Sequence, residues 1–147
     1  CDTRFTHAYS NDSGCSGASL SRENKGETIA DITRVFPYWF CPRYAEYAGR
    51  ADALPLDQHF LLASIAPRHV MVGSAVEDKW ADPDSEYLSC VAAGKFWELY
   101  GKKAFPEKDC PETDGVITGK NIAYHRRSGV HFMSRTDWNR FLDFFLQ

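Results

Sequence analysis

The pattern of apolar and polar positions divides the chain into three strand candidates and four main helices. Val70 to Ala75 is a short apolar, β-branched run without proline, the pattern of a strand buried on both faces. Gly73 and Ser74 within it are small enough to admit a neighbouring backbone. Phe5 to Ser10 and Asn121 to Arg126 predict two further strands; in the second, Ile122 and Tyr124 alternate with Ala123 and His125. Helical spacing predicts Glu27–Val35 (Ile29, Ile32 and Val35 on one face), a buried helix over Phe60–Ile65 ended by Pro67, and Glu86–Tyr100. The last has Tyr87, Leu88, Val91, Phe96 and Leu99 as its apolar face, Asp84 and Ser85 as caps and Gly101 as its stop. A closing helix spans Asp137–Gln147, with Trp138, Phe141, Leu142 and Phe145 three and four apart. Two prolines keep the aromatic run Phe36–Pro42 from regular helix, and Lys102–Lys120 reads as a surface loop. The alternation of strands and helices predicts an α/β architecture with a mostly parallel sheet.

Composition changes this picture little. The 147 residues are 44% hydrophobic and 25% charged, as in an ordinary globular domain. A net charge of −3 gives no sign of a nucleic-acid or acidic-membrane partner, and no apolar run approaches the ~20 residues of a membrane helix. Cys1, Cys15, Cys41, Cys90 and Cys110 form no Cys-x-x-Cys pair and no zinc spacing with histidine, so no metal or cofactor is expected.

In open α/β sheets the chemistry lies beyond the C-terminal ends of the strands. Asp12 follows the first strand candidate, Asp78 the second and His131 the third. Parallel neighbours would bring all three to one end. An acid that orients a histidine, which serves a serine as base, is the arrangement of the α/β hydrolases, in the chain order Ser, acid, His. A loop carboxylate and a turn histidine would show the same spacing. The nucleophile elbow Gly-x-Ser-x-Gly is missing. Gly14-Cys15-Ser16-Gly17 is one residue short, Gly73-Ser74 lies inside a strand, Ser128-Gly129 sits beside the histidine without fitting the pattern, and nothing marks Cys15 as an activated thiol. His125, inside a strand, and His59, close after Asp57, read as structural.

Several stretches in order resemble the bacterial glucuronoyl esterases of carbohydrate esterase family 15. They are Ser-Asn-Asp-Ser-Gly-Cys-Ser-Gly-Ala (10–18), Lys-Gly-Glu-Thr (25–28), Phe-Pro-Tyr-Trp-Phe-Cys (36–41) and Leu-Pro-Leu-Asp-Gln-His (54–59). Ala-Pro-Arg (66–68), Glu-Asp-Lys-Trp-Ala-Asp-Pro (77–83) and Tyr-His-Arg-Arg-Ser-Gly-Val-His (124–131) complete the set. The resemblance covers the chain except roughly 104–119. It implies the C-terminal portion of an α/β-hydrolase, a three-layer αβα domain, here a single partial domain over 1–147 whose nucleophile elbow lies upstream.

The resemblance further implies hydrolysis of esters between 4-O-methylglucuronic acid on xylan and lignin alcohols. It implies His131 as base, Asp78 or Asp12 as acid, and Trp80 and Glu27 as glucuronate contacts. Asp12 stands where many members carry Glu, one methylene longer, which favours Asp78. The implied partner is glucuronoxylan or a lignin–carbohydrate ester, met by a secreted or periplasmic enzyme that is a monomer when complete. The 147 residues alone are expected to be inactive and to expose the first strand as a sheet edge. Two other readings stay open: an acetyl-xylan or dienelactone-hydrolase-like esterase of the same fold, and a glucuronoxylan-binding module without catalysis.

Overall fold

The structure, a computed structural model, describes residue 2, residues 4–106 and residues 109–147. Cys1 lies outside them; the other four cysteines are free thiols. Four strands form one sheet in the order β1 (His7–Asn11), β2 (His69–Ala75), β4 (Ile122–Arg127), β3 (Val116–Thr118). The first three are parallel. β3 runs antiparallel to β4. This corrects the expectation of a structureless loop over 102–120: β3 is too short and too polar in its surroundings to show a period. β1 is an edge strand among the described residues.

β2 is the centre of the sheet, and all but its first residue is buried. Its pleat sends alternate side chains to opposite faces. Val70 and Val72, with Ile122 and Tyr124 of β4, pack under α4 (Pro83–Glu98) and α3 (His59–Ala63). Met71 and Ala123 pack under Phe144 of α5 (Arg135–Phe145) on the other face. The result is the expected helix–sheet–helix sandwich. A smaller cluster of Cys15, Ile29, Ile32 and Leu54 sits beneath α1 (Ile29–Val35) and α2 (Pro42–Ala45).

Several details of the pattern reading change. Gly73 makes room for side chains and not for backbone. A Cβ there would fall 2.1 Å from the Tyr9 hydroxyl oxygen and 2.4 Å from His125 Nε2. α4 starts at Pro83, capped by Asp82 in the left-handed region (φ 54°), whose carboxylate accepts from the Ser85 amide. Proline suits this first helical position because the N–H it lacks would have no partner there. The buried stripe of α4 is Tyr87, Cys90, Ala93 and Trp97, while Leu88 and Leu99 are exposed. Cys90 and Ala93 sit between the two aromatics Tyr87 and Trp97, which fill the space against the sheet. α5 buries Phe144, and Trp138, Leu142 and Phe145 are about half exposed. α3 likewise buries only Leu62, and Phe60 and Leu61 face outward. Both α1 and α5 begin with a capping box, Thr28 with Asp31 and Ser134 with Asp137.

Glu86 is the fully buried acid of α4. Its carboxyl receives Ser74 Oγ at 2.5 Å, the Gly14 amide at 3.0 Å and Ser13 Oγ at 3.3 Å, tying the β1 loop to β2. Burial nevertheless pushes its pKa up to about 8 from an ordinary 4.5. Between those values the unfolded chain releases a proton that the folded chain keeps, so stability falls as pH rises through this window. Glu86→Gln is expected to flatten that fall. Urea midpoints of both proteins from pH 5 to 8 test this; parallel curves would exclude Glu86 as the source.

Candidate active site

In-register parallel strands place Asn11, Gly73 and His125 side by side, so the loops after β1, β2 and β4 leave from the same end of the sheet. Asp12, Asp78 and His131 stand on those three loops. Their ligating atoms lie within 4.8 Å of one another. His131 Nδ1 is 2.7 Å from Asp78 Oδ2. The other Asp78 oxygen accepts from the Ala81 amide at 3.3 Å. Asp78 is buried, whereas the imidazole is 67% exposed, with Nε2 free to serve as a base.

Asp12 is held elsewhere. Its Oδ1 accepts from the Ala75 amide at 2.6 Å, and its Oδ2 from Asn11 Nδ2 at 3.1 Å and Arg127 Nη2 at 3.0 Å. Burial raises its pKa; the Ala75 amide and the Arg127 charge oppose that rise. Asp12 and Asp78 with His131 have the spacing of a three-ligand cation site. Arg127 already neutralises Asp12, and His131 already occupies Asp78, so hydrogen bonding accounts for the whole cluster.

A cleft of about 260 Å³ opens over the pair. All five residues singled out from the sequence line it: Asp12, Glu27, Asp78, Trp80 and His131. Glu27 and Trp80 are neighbours because the Glu27 amide donates to the Trp80 carbonyl at 2.8 Å. Gly26 permits this approach, since a Cβ there would fall 2.3 Å from the same carbonyl oxygen. Burial, with Asp31 and Asp78 nearby, raises the Glu27 pKa. Trp80 is 57% exposed and lines the cleft. The apolar wall of Ile32, Phe36 and Trp39 was not foreseen. Phe36 and Trp39 stack with centroids 4.1 Å apart. Pro37 and Pro42 bracket this run and predict irregular structure, which gives no sign of a cleft wall.

The serines and thiol weighed as nucleophiles are engaged elsewhere. Ser16 Oγ is 2.6 Å from the Tyr44 hydroxyl. Ser74 is buried against Glu86. The Ser128 hydroxyl donates to Asp114 Oδ1 at 3.4 Å. Burial pushes the Cys15 thiol up to about 11, which keeps it protonated near neutrality. His125 is buried beside Tyr9 (2.8 Å) and Asp137 (3.4 Å). Burial pushes its pKa down to about 4, so it is a neutral core histidine. Asp57 caps the 20–22 turn through the Ser21 and Arg22 amides and is structural.

A mostly parallel αβα sandwich with an acid–histidine pair at its strand ends is that of an α/β-hydrolase. The family model for "Glucuronyl esterase, fungi" matches residues 1–103, and the chain belongs to the glucuronyl esterase family. Carbohydrate esterase MZ0003, from an unknown prokaryotic organism, is 43% identical over 143 residues, 97% of this chain and 33% of that protein. The solved glucuronoyl esterase of Solibacter usitatus is 39% identical, with a TM-score of 0.89 over 97% of this chain and 36% of its own. The 4-O-methyl-glucuronoyl methylesterase of Podospora anserina is 33% identical over 91 residues, 60% of this chain and 19% of that protein. The chain therefore spans about a third of the first two relatives and a fifth of the third.

Proposed function

We propose that the protein carrying this chain is a serine-type carboxylic ester hydrolase for esters of 4-O-methylglucuronic acid on xylan with lignin alcohols. One observation carries the reading: the 2.7 Å His131–Asp78 pair opens into the same cleft as Glu27 and Trp80. With Nδ1–H donated to Asp78, Nε2 of His131 is left unprotonated. It takes the proton of a serine hydroxyl as the oxygen attacks the ester carbonyl. It then returns that proton to the departing alcohol, leaving an acyl-enzyme that water hydrolyses by the same relay. The serine comes from outside these 147 residues, which hold no Gly-x-Ser-x-Gly. The relatives' names support the glucuronate acid. Polymeric xylan lies outside the cell, so the enzyme acts as a secreted or periplasmic protein.

Trp offers a sugar ring a flat apolar face and an N–H. Trp80→Ala is therefore expected to weaken turnover of a benzyl glucuronate ester by ~10- to 200-fold. A simple acetyl ester should change far less. An equal loss on both would show that Trp80 supports its loop and does not read the sugar, and the glucuronate specificity would fall with it.

A further inference from the structure

We infer that Arg127 is a positioning residue for His131: its guanidinium clamps the loop that carries the catalytic imidazole. This rests on the role proposed above for His131. Residues 128–134, between β4 and α5, form no helix or strand. Among the described residues the imidazole has one hydrogen bond, to Asp78, and it is mostly exposed. Its place is therefore set by the backbone beneath it.

Arg127 is the last residue of β4 and is buried. Nη1 donates to the carbonyls of Ser128 and Val130, both at 3.1 Å. Nη2 donates to the Phe132 carbonyl and to Asp12 Oδ2. The carbonyls of Val130 and Phe132 flank His131 on either side. Nε donates to Asp137 at 2.9 and 2.8 Å. All five guanidinium N–H groups thus have acceptors. The ring of Phe132 lies 4.6 Å from the guanidinium carbon and holds it from one side.

The two carboxylates supply the counter-charge that a buried cation needs. Burial raises the Asp137 pKa, but the Ser134 hydroxyl and amide and the Arg127 charge outweigh it and hold the carboxyl below its usual value. The clamp also reaches the acid's loop. The Gly129 amide donates to the Glu77 carboxylate at 3.1 Å, and the Glu77 amide donates to the Gly129 carbonyl at 3.1 Å. Glu77 precedes Asp78. Asp12, one of the two candidate acids, becomes in this chain the counter-ion of the clamp. Lysine could not replace this arginine, because one ammonium cannot reach three carbonyls and two carboxylates on opposite sides.

The test uses the whole protein that contains this chain, with a benzyl glucuronate ester as substrate. Arg127→Lys is expected to lower kcat by about 100-fold with KM within a few-fold, the size expected when a catalytic group is displaced by about 1 Å. The downfield proton resonance of His131 Nδ1–H should be lost from the folded variant. A folded lysine variant with wild-type kcat and an intact resonance would overturn the clamp, even if its urea midpoint drops. Phe132→Ala decides the matter if the lysine variant does not fold, because Phe132 is half exposed and its ring takes part in no ion pair. It should cost kcat roughly threefold, leaving KM unchanged. Unchanged kcat and resonance in that variant would equally overturn the proposal. His131→Ala, run in parallel, separates the two readings. If it stays active, the catalytic role of His131 falls, while the resonance in the Arg127 and Phe132 variants still reports whether the loop is clamped.

Discussion

His131→Ala, made in the whole protein, is expected to lower kcat on a benzyl glucuronate ester by roughly 10⁴- to 10⁶-fold. In the mechanism proposed above the imidazole takes the serine proton and returns it to the alcohol, so removal of this one member would disable the unit. KM should move little, since the cleft walls of Glu27, Trp80, Phe36 and Trp39 remain. Circular dichroism and the urea midpoint should stay close to the parent's, because the side chain is 67% exposed. Full activity in a folded variant would remove His131 from the mechanism.

Asp78→Asn is expected to cost about 10⁴ in kcat. The reason is the direction of two hydrogen bonds. One Asp78 oxygen accepts from the Ala81 amide and the other faces His131 Nδ1. An asparagine would keep its carbonyl oxygen on the Ala81 amide and turn its NH₂ toward His131. Nδ1 must then accept, the ring proton moves to Nε2, and the base is lost. Asp12→Asn behaves differently. It sets an NH₂ against the donors Asn11 and Arg127, so it should cost ~1–3 kcal/mol of stability and less than tenfold in kcat, through the loosened clamp. Steady-state rates of the two single variants and the double variant distinguish the cases. Two mild singles with a severe double would mean that both carboxylates serve His131.

Much of the site was legible in the residues. The three strands recovered from pattern lie within a residue or two of their observed ends, and three loops follow their C-terminal ends. The buried faces of the α-helices are less legible. Leu88, Leu99, Trp138 and Leu142 look like core residues by type, yet they are exposed. Periodicity identifies an amphipathic helix but weighs residues by hydrophobicity. Which stripe packs on the sheet is set by how the helix docks, here through Tyr87, Cys90, Ala93 and Trp97. β3 escaped notice because three residues carry no period, and its pairing partner supplies the reason for its existence.

The sequence by itself determined that Asp12, Asp78 and His131 share one end of a parallel sheet, because successive parallel strands must emit their loops on the same side. The resemblance carried by the stretches around 25–28 and 77–83 implied Glu27 and Trp80 as further members, and both line the same cleft. The tertiary structure alone decided which acid meets the histidine. Asp12 and Arg127 are 115 residues apart, and neither has a local signal of the other. Their buried contact exists because in-register strands place the end of β4 beside the end of β2, whose last amide also binds Asp12. A carboxylate caught between that amide and a buried guanidinium is not free to turn to an imidazole. Asp78, with one backbone partner and an oxygen to spare, is.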